Sequence, residues 1–269
     1  MLATLSIFAI LCYLLASGLL AWPLFGRATV APAKVARPAL AIATLAVLAH
    51  AGWLLAAHRG ALDLHFFAAL SLVACVVSAL TLLVNLTRPV VALGVIVFPL
   101  SALLLFVDSF FAPPTAPMSM DWHIKLHVTL ALLAFGVLSI AAAMAILLAI
   151  QEQALRHRHI GPWLSALPPL TLTESLLFRL ISAGFSLLTV ALLTGALFVN
   201  NLFGQHLVHK TVLSIIAWLV FGALVYGRWR HGWRGRSAVN LTLIGMSVLA
   251  LAFFGSKFVL ELILHRAVD

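Results

Sequence analysis

Long apolar runs separated by short polar connections organise this chain from end to end. A helix needs about 20 apolar residues to cross the hydrocarbon core of a bilayer. Runs of that length recur eight times, at about 2 to 25, 39 to 57, 64 to 84, 90 to 110, 122 to 150, 177 to 200, 211 to 228 and 239 to 264. The pattern predicts an all-α, polytopic membrane bundle of about eight transmembrane helices. Pro23, Pro38 and Pro89 fall near predicted ends, where a missing amide donor costs little, while Pro99 lies inside the fourth run and is expected to kink it. The first run has no positive residue before Arg27 and exceeds a signal-peptide core in length, so it reads as a helix and not a cleaved leader. No long polar stretch or Ser/Gly-rich linker intervenes, and residues 1–269 read as a single transmembrane domain.

Composition removes the soluble alternative. With 64% hydrophobic and 9% charged residues and a mean hydropathy of +1.17, a soluble fold would expose more hydrocarbon than water tolerates. Charge then sets an orientation, because Lys and Arg concentrate on the cytoplasmic side. Connections one, three, five and seven carry Arg27, Lys34, Arg37, Arg88, Arg156, Arg158, Arg179 (at the start of the sixth run), Arg228, Arg230, Arg234 and Arg236, which is 11 of the 16 positive residues. The other side has Arg59, Lys125, Lys210, Lys257 and Arg266. Both termini are therefore expected outside. The net charge of +9 points to anionic lipid headgroups rather than nucleic acid as its partner. Cys12 and Cys75 stand alone in different runs with no CxxC, which points to packing and away from thiol exchange.

On this topology eight of the eleven histidines fall in the outer half: His50, His58, His65, His123, His127, His206, His209 and His265. His123 and His127 share a helical face at i and i+4. His50 is deeper, about 11 residues into its predicted helix and roughly 16 Å from the inner end at 1.5 Å per residue. An imidazole in lipid needs a partner, so His50 and His127 are expected to face the interior. Two chemistries fit such a cluster. Haem iron takes one or two axial histidines, with aromatic residues along the macrocycle and cations at the propionates. Zinc or copper can use His123 and His127 with His206 or His209. Seven Trp and seventeen Phe favour haem, with Trp53, Trp122, Phe198 and Phe203 near Lys125, Lys210 and Lys257. Lys257 and Glu261 share a face in the last run, where Lys257 can support a propionate or simply neutralise Glu261.

The stretch HKTVLSIIAW at 209–218, then FGALVYGRWRHGWRGRSA and LTLIGMSVLALAFFGSKFVLELILH, resembles the closing third of the cytochrome c assembly (CcsA-type) membrane proteins, in their YpjD- and HemX-like branch. MDWHIKLHVTLALLAFGVLSIAAAMA is similar to the family's histidine-bearing helix, so the resemblance covers roughly 60–269. It implies a bacterial inner-membrane protein that holds non-covalent, b-type haem at its outer face. His127 falls on the histidine before the family's tryptophan-rich outer segment and His265 on the one after it; Trp218 and Arg228 also match. The resemblance thus makes His127 and His265 the axial ligands, with His50, His209, Lys257 and Trp218 as further candidate contacts and another membrane or periplasmic assembly protein as a candidate partner. Two departures stand out. The WxWD segment is replaced by the shorter GQHLVHK, which puts delivery to an apocytochrome in question, and Tyr226 stands where a histidine is expected, which argues against an inner-half haem site. No nucleophile, base and orienting acid occur at recognisable spacing, so catalysis is not indicated. A transporter or exporter, and a non-haem scaffold or regulator of haem metabolism, are the rival readings.

Overall fold

The structure is a computed structural model and describes residues 2–25, 32–58, 65–87, 90, 92–112, 121–157, 167–198 and 208–255. Among these, eight α-helices form in chain order and no strand. They are α1 Leu2–Phe25, α2 Pro32–Ala57, α3 Phe66–Thr87, α4 Ala92–Phe111, α5 Trp122–Arg156, α6 Leu170–Phe198, α7 Val208–His231 and α8 Arg236–Ala250, the last continued by a π-helical turn, Leu251–Gly255. All eight, α8 taken with that turn, are long and apolar enough to cross a membrane. The chain divides into two compact units, residues 1–118 with 150–170 and residues 119–149 with 171–269.

In the first unit, α1 packs on α2 and α4, and α3 on α2 and α4. The seam between α1 and α2 follows from one repeated spacing. Ala9, Tyr13, Ala16 and Leu20 are buried at i, i+4, i+7 and i+11, and Ala39, Ala43, Ala46 and His50 repeat the same steps on α2. Small residues at such positions let two helices approach closely where lipid supplies no hydrophobic drive between them. Tyr13, Ala16 and Leu20 meet Ala39, Ala43 and Ala46 together with Val97, Phe98 and Ala102 of α4. Cys75 is buried with Trp53, Leu54 and Leu105, a packing role, and both cysteines are free.

Pro99 does sit inside α4. Having no N–H, it leaves the Val95 carbonyl one turn back without its helical donor. Ser17 of α1 donates to that carbonyl at 3.4 Å, the kind of neighbouring-helix repair that lets proline persist in a membrane helix.

In the second unit α5, α6, α7 and α8 meet through glycines and rings. A Cβ on Gly184 would fall 2.6 Å from the Leu138 side chain, so α5 and α6 nearly touch there. Trp218 of α7 donates its indole N–H to Thr189 of α6 at 2.8 Å and stacks on Phe185 at 5.7 Å. Phe221 lies against Gly245 of α8, and Phe253 and Phe254 of the π-helical turn pack on Phe135 at 5.0 and 5.5 Å.

Several helices outrun their apolar cores. α2 starts at Pro32, placing His50 about 27 Å from its first residue, farther than the 16 Å expected from a start at 39. α5 continues to Arg156 and α6 begins at Leu170, because polar residues at a helix end can leave the hydrocarbon without breaking the backbone ladder.

Candidate functional site

The N-terminal end of α5 meets the C-terminal end of α6 around two histidines. His127 Nδ1 lies 2.9 Å from the Ala191 carbonyl oxygen and 3.2 Å from the Thr194 hydroxyl. The carbonyl can only accept, so Nδ1 carries the ring proton and donates it. Thr194 donates its own hydroxyl hydrogen to the same carbonyl at 2.9 Å, which turns its lone pairs towards His127. The ring is thereby held as the Nδ1–H tautomer, and Nε2 is the nitrogen that carries the lone pair. A histidine whose proton-bearing nitrogen is anchored to a carbonyl in this way is in the state that binds a metal.

The anchor depends on a missing side chain. A Cβ on Gly195 would lie 2.9 Å from His127 Cε1, 3.4 Å from Nδ1 and 3.7 Å from Nε2. The imidazole therefore occupies the space that any other residue at 195 would need.

His123, one turn earlier, makes a different set of contacts. It stacks on Trp122 at 3.7 Å and meets Phe198 of α6 at 4.9 Å, while Trp122 and Phe198 lie 6.5 Å apart. Two aromatic residues that the sequence suggested for a macrocycle thus gather at this end of the helices, packed first on His123. Lys125 is exposed on the same end of α5.

The other candidates are placed as follows. His50 is fully buried in the first unit, with Nδ1 3.3 Å from the Tyr13 hydroxyl and Nε2 3.0 Å from the Ser71 hydroxyl. Both its nitrogens are engaged by protein, and either tautomer is satisfied because each hydroxyl can donate or accept. His50 and His127 both find interior partners, as their depth in lipid demands. His209 is exposed near the start of α7, and Trp218 is tied to Thr189 and Phe185. His206, Phe203, Lys257, Glu261 and His265 lie outside the described residues. His58 meets Trp53 at 6.0 Å, edge to face. No group of three or more His, Cys, Asp or Glu side chains able to hold a metal ion occurs among the described residues, leaving the zinc or copper alternative without a described site.

Sequence reasoning missed Ala191, Thr194 and Gly195. A signal for Thr194 and Gly195 was present in LLTGALF, where a lone glycine and a threonine interrupt an apolar run, but none marked Ala191. Gly in such a run often marks close approach of another group.

At the opposite end of α6, Glu174 receives Arg228 at 2.7 Å and lies 3.7 Å from Arg234. Arg228 also donates to the Trp233 carbonyl at 3.2 Å and covers the Phe178 ring at 4.4 Å. The α7–α8 turn reverses through Gly232 and Gly235, both at positive φ, 66° and 55°, a conformation that favours glycine. Trp233 folds back on Gly227, where its ring fills the place of a Cβ.

Eight apolar helices, with imidazoles held in their interiors, define a polytopic helical membrane protein. The profile described as Cytochrome C assembly protein matches residues 35–264, and the chain belongs to that family. It is 38% identical over 137 residues to Inner membrane protein YpjD of Escherichia coli strain K12, covering 51% of this chain and 52% of that protein. It is 27% identical over 228 residues to Cytochrome c biogenesis protein CcsA of Synechococcus sp. strain JA-3-3Ab, covering 65% and 66%. The chain therefore spans about half the length of the YpjD relative. Cytochrome c Heme Lyase CcmF shares the fold, with a TM-score of 0.62 at 17% identity over 96% of this chain and 49% of that one. With its eight helices and its likeness to YpjD, this is a multi-pass inner-membrane protein.

Proposed function

We propose that this protein binds haem at the outer face of the inner membrane, where His127 would hold the iron through Nε2. The observation that carries the reading is the anchoring of His127 Nδ1–H on Ala191 and Thr194, which makes Nε2, the nitrogen that iron requires, the lone-pair nitrogen of the neutral ring. Relatives named for cytochrome c biogenesis and as a haem lyase support haem as the ligand. The excess of arginine on odd-numbered connections supports the outward placement of this end of α5. His265, matched by resemblance, is the proposed second ligand. The only cysteines, Cys12 and Cys75, form no attachment motif, which favours non-covalent, b-type binding.

Residues of this chain have distinct parts in that site. His127 supplies the lone pair, Ala191 and Thr194 hold its proton, Trp122 and Phe198 supply aromatic surface, and Lys125 a cation for an acidic group. Bound haem contributes a redox-active iron and a large apolar surface. Holding it for a membrane or periplasmic assembly partner fits the family better than turnover by this chain alone.

The test is an absorption spectrum of gently purified protein with His127→Ala, His265→Ala and the double variant. The reading expects a Soret band whose coordination signature changes in each single variant and whose intensity is lost in the double one. Haem retained with an unshifted spectrum in the double variant refutes the ligand assignment. Colourless wild-type protein after haem supplementation refutes haem binding and leaves a scaffold or a transporter, which substrate uptake into proteoliposomes tells apart.

A further inference from the structure

We infer that Thr194 and Gly195 are positioning residues that fix which nitrogen of His127 faces the iron and where it points; this rests on the reading of His127 as a haem ligand. A free imidazole exchanges its proton between two nitrogens, and only the unprotonated one can coordinate. Ala191 and Thr194 make the choice here, because the carbonyl accepts from both the imidazole and the hydroxyl and so orients the two donors together. Turning the ring over would set a carbon against both acceptors and lose both hydrogen bonds.

Gly195 supplies the second constraint. Its absent side chain lets the ring lie 2.9 Å, at Cε1, from where a Cβ would stand. Gly195→Ala must therefore push the ring away from α6 and lengthen the 2.9 Å bond to Ala191. Thr194 and Gly195 are consecutive on one helix, so one turn of α6 sets both proton position and ring position. Outer partners of this kind raise the basicity of a ligating imidazole, and their loss typically weakens metal affinity 10- to 100-fold.

The experiment uses the full chain in lipid, with ¹⁵N-labelled histidine and His127 signals assigned by their absence in His127→Gln. Without haem, the wild type is expected to show a protonated Nδ1 and a lone-pair Nε2. Gly195→Ala, which displaces the ring, and Thr194→Val, which removes one of the two acceptors and leaves the Ala191 carbonyl, are each expected to weaken that pattern, and Thr194→Ser to keep it. With haem loaded, Thr194→Val and Gly195→Ala are expected to weaken retention by about tenfold. In the ferrous His265→Ala background, which leaves His127 as the one proposed protein ligand, they should also lower the iron–histidine stretching frequency, while Thr194→Ser behaves as its parent. If Gly195→Ala fails to fold, the Thr194 pair carries the test alone. A wild-type His127 protonated on Nε2, or variants that leave both the nitrogen signals and the iron band unchanged, overturn the inference. The expected nitrogen pattern in a protein that takes up no haem overturns instead the haem reading on which the inference rests, so the two failures are told apart.

Discussion

Replacing Arg228 with glutamine should destabilise the protein far more than replacing Arg234, although the two arginines approach the same carboxylate oxygen. Arg228 reaches Glu174 at 2.7 Å with side-chain exposures of 29% and 17%, whereas Arg234 lies at 3.7 Å and is 71% exposed. A charge-assisted hydrogen bond contributes about 1.5–3 kcal/mol when largely shielded. The Trp233 carbonyl and the Phe178 face add about 0.5–1 kcal/mol each. Partial exposure screens these contributions, and glutamine keeps some of the packing, so the expected loss for Arg228→Gln is about 2–3 kcal/mol. For Arg234→Gln it is about 0–0.5 kcal/mol, as for an exposed pair. Equilibrium unfolding in bicelles, run as a cycle with Glu174→Gln, isolates the pair. The cycle should return a coupling of about 1–2 kcal/mol between Glu174 and Arg228 and none resolvable with Arg234. If the turn acts only as a basic patch on anionic lipid, each lost charge costs about 1 kcal/mol regardless of position. Equal losses for both arginines, or additive losses for Glu174→Gln and Arg228→Gln, would refute the assignment of Arg228 as an internal latch.

Arg230→Gln should reduce binding to anionic vesicles without moving the unfolding midpoint, since Arg230 is exposed at the end of α7; a lowered midpoint with unchanged vesicle binding contradicts that placement. Ser17→Ala should destabilise by about 1 kcal/mol, because the Val95 carbonyl beneath Pro99 loses its donor, and Pro99→Ala should remove that sensitivity by restoring an N–H to the helix. Tyr13→Phe should cost about 0.6 kcal/mol, the average for interhelical hydrogen bonds in lipid, and no more than about 1.7, and leave any haem spectrum unchanged, since His50, its hydrogen-bond partner, is not the proposed ligand; a spectral shift would bring His50 back as a ligand.

The eight spans were legible because lipid imposes one rule, a continuous apolar run of sufficient length, and the sequence obeys it openly. The ends were less so. Glu174 halted the sixth predicted span near 177, yet α6 begins at Leu170 because Arg228, 54 residues away, neutralises that carboxylate. Gln151 marked the end of the fifth span, but its side chain donates to the Pro168 carbonyl at 3.0 Å and the helix runs on. The need of His50 and His127 for partners could be read from their depth. The partners could not, since Tyr13 and Ala191 lie 37 and 64 residues away in sequence and only packing brings them near. The π-helical turn at Leu251–Gly255 left no mark of its own in LAFFG, which carries no polar side chain. The pairing of His127 with His265 came from resemblance alone.

The most direct measurement is the haem content and Soret spectrum of the full chain, purified gently from haem-supplemented cells, beside His127→Ala prepared in parallel. A Soret band in the wild type, with its position and intensity altered in a normally folded His127→Ala, is the predicted result. Equal haem in both proteins, or none in either, contradicts it.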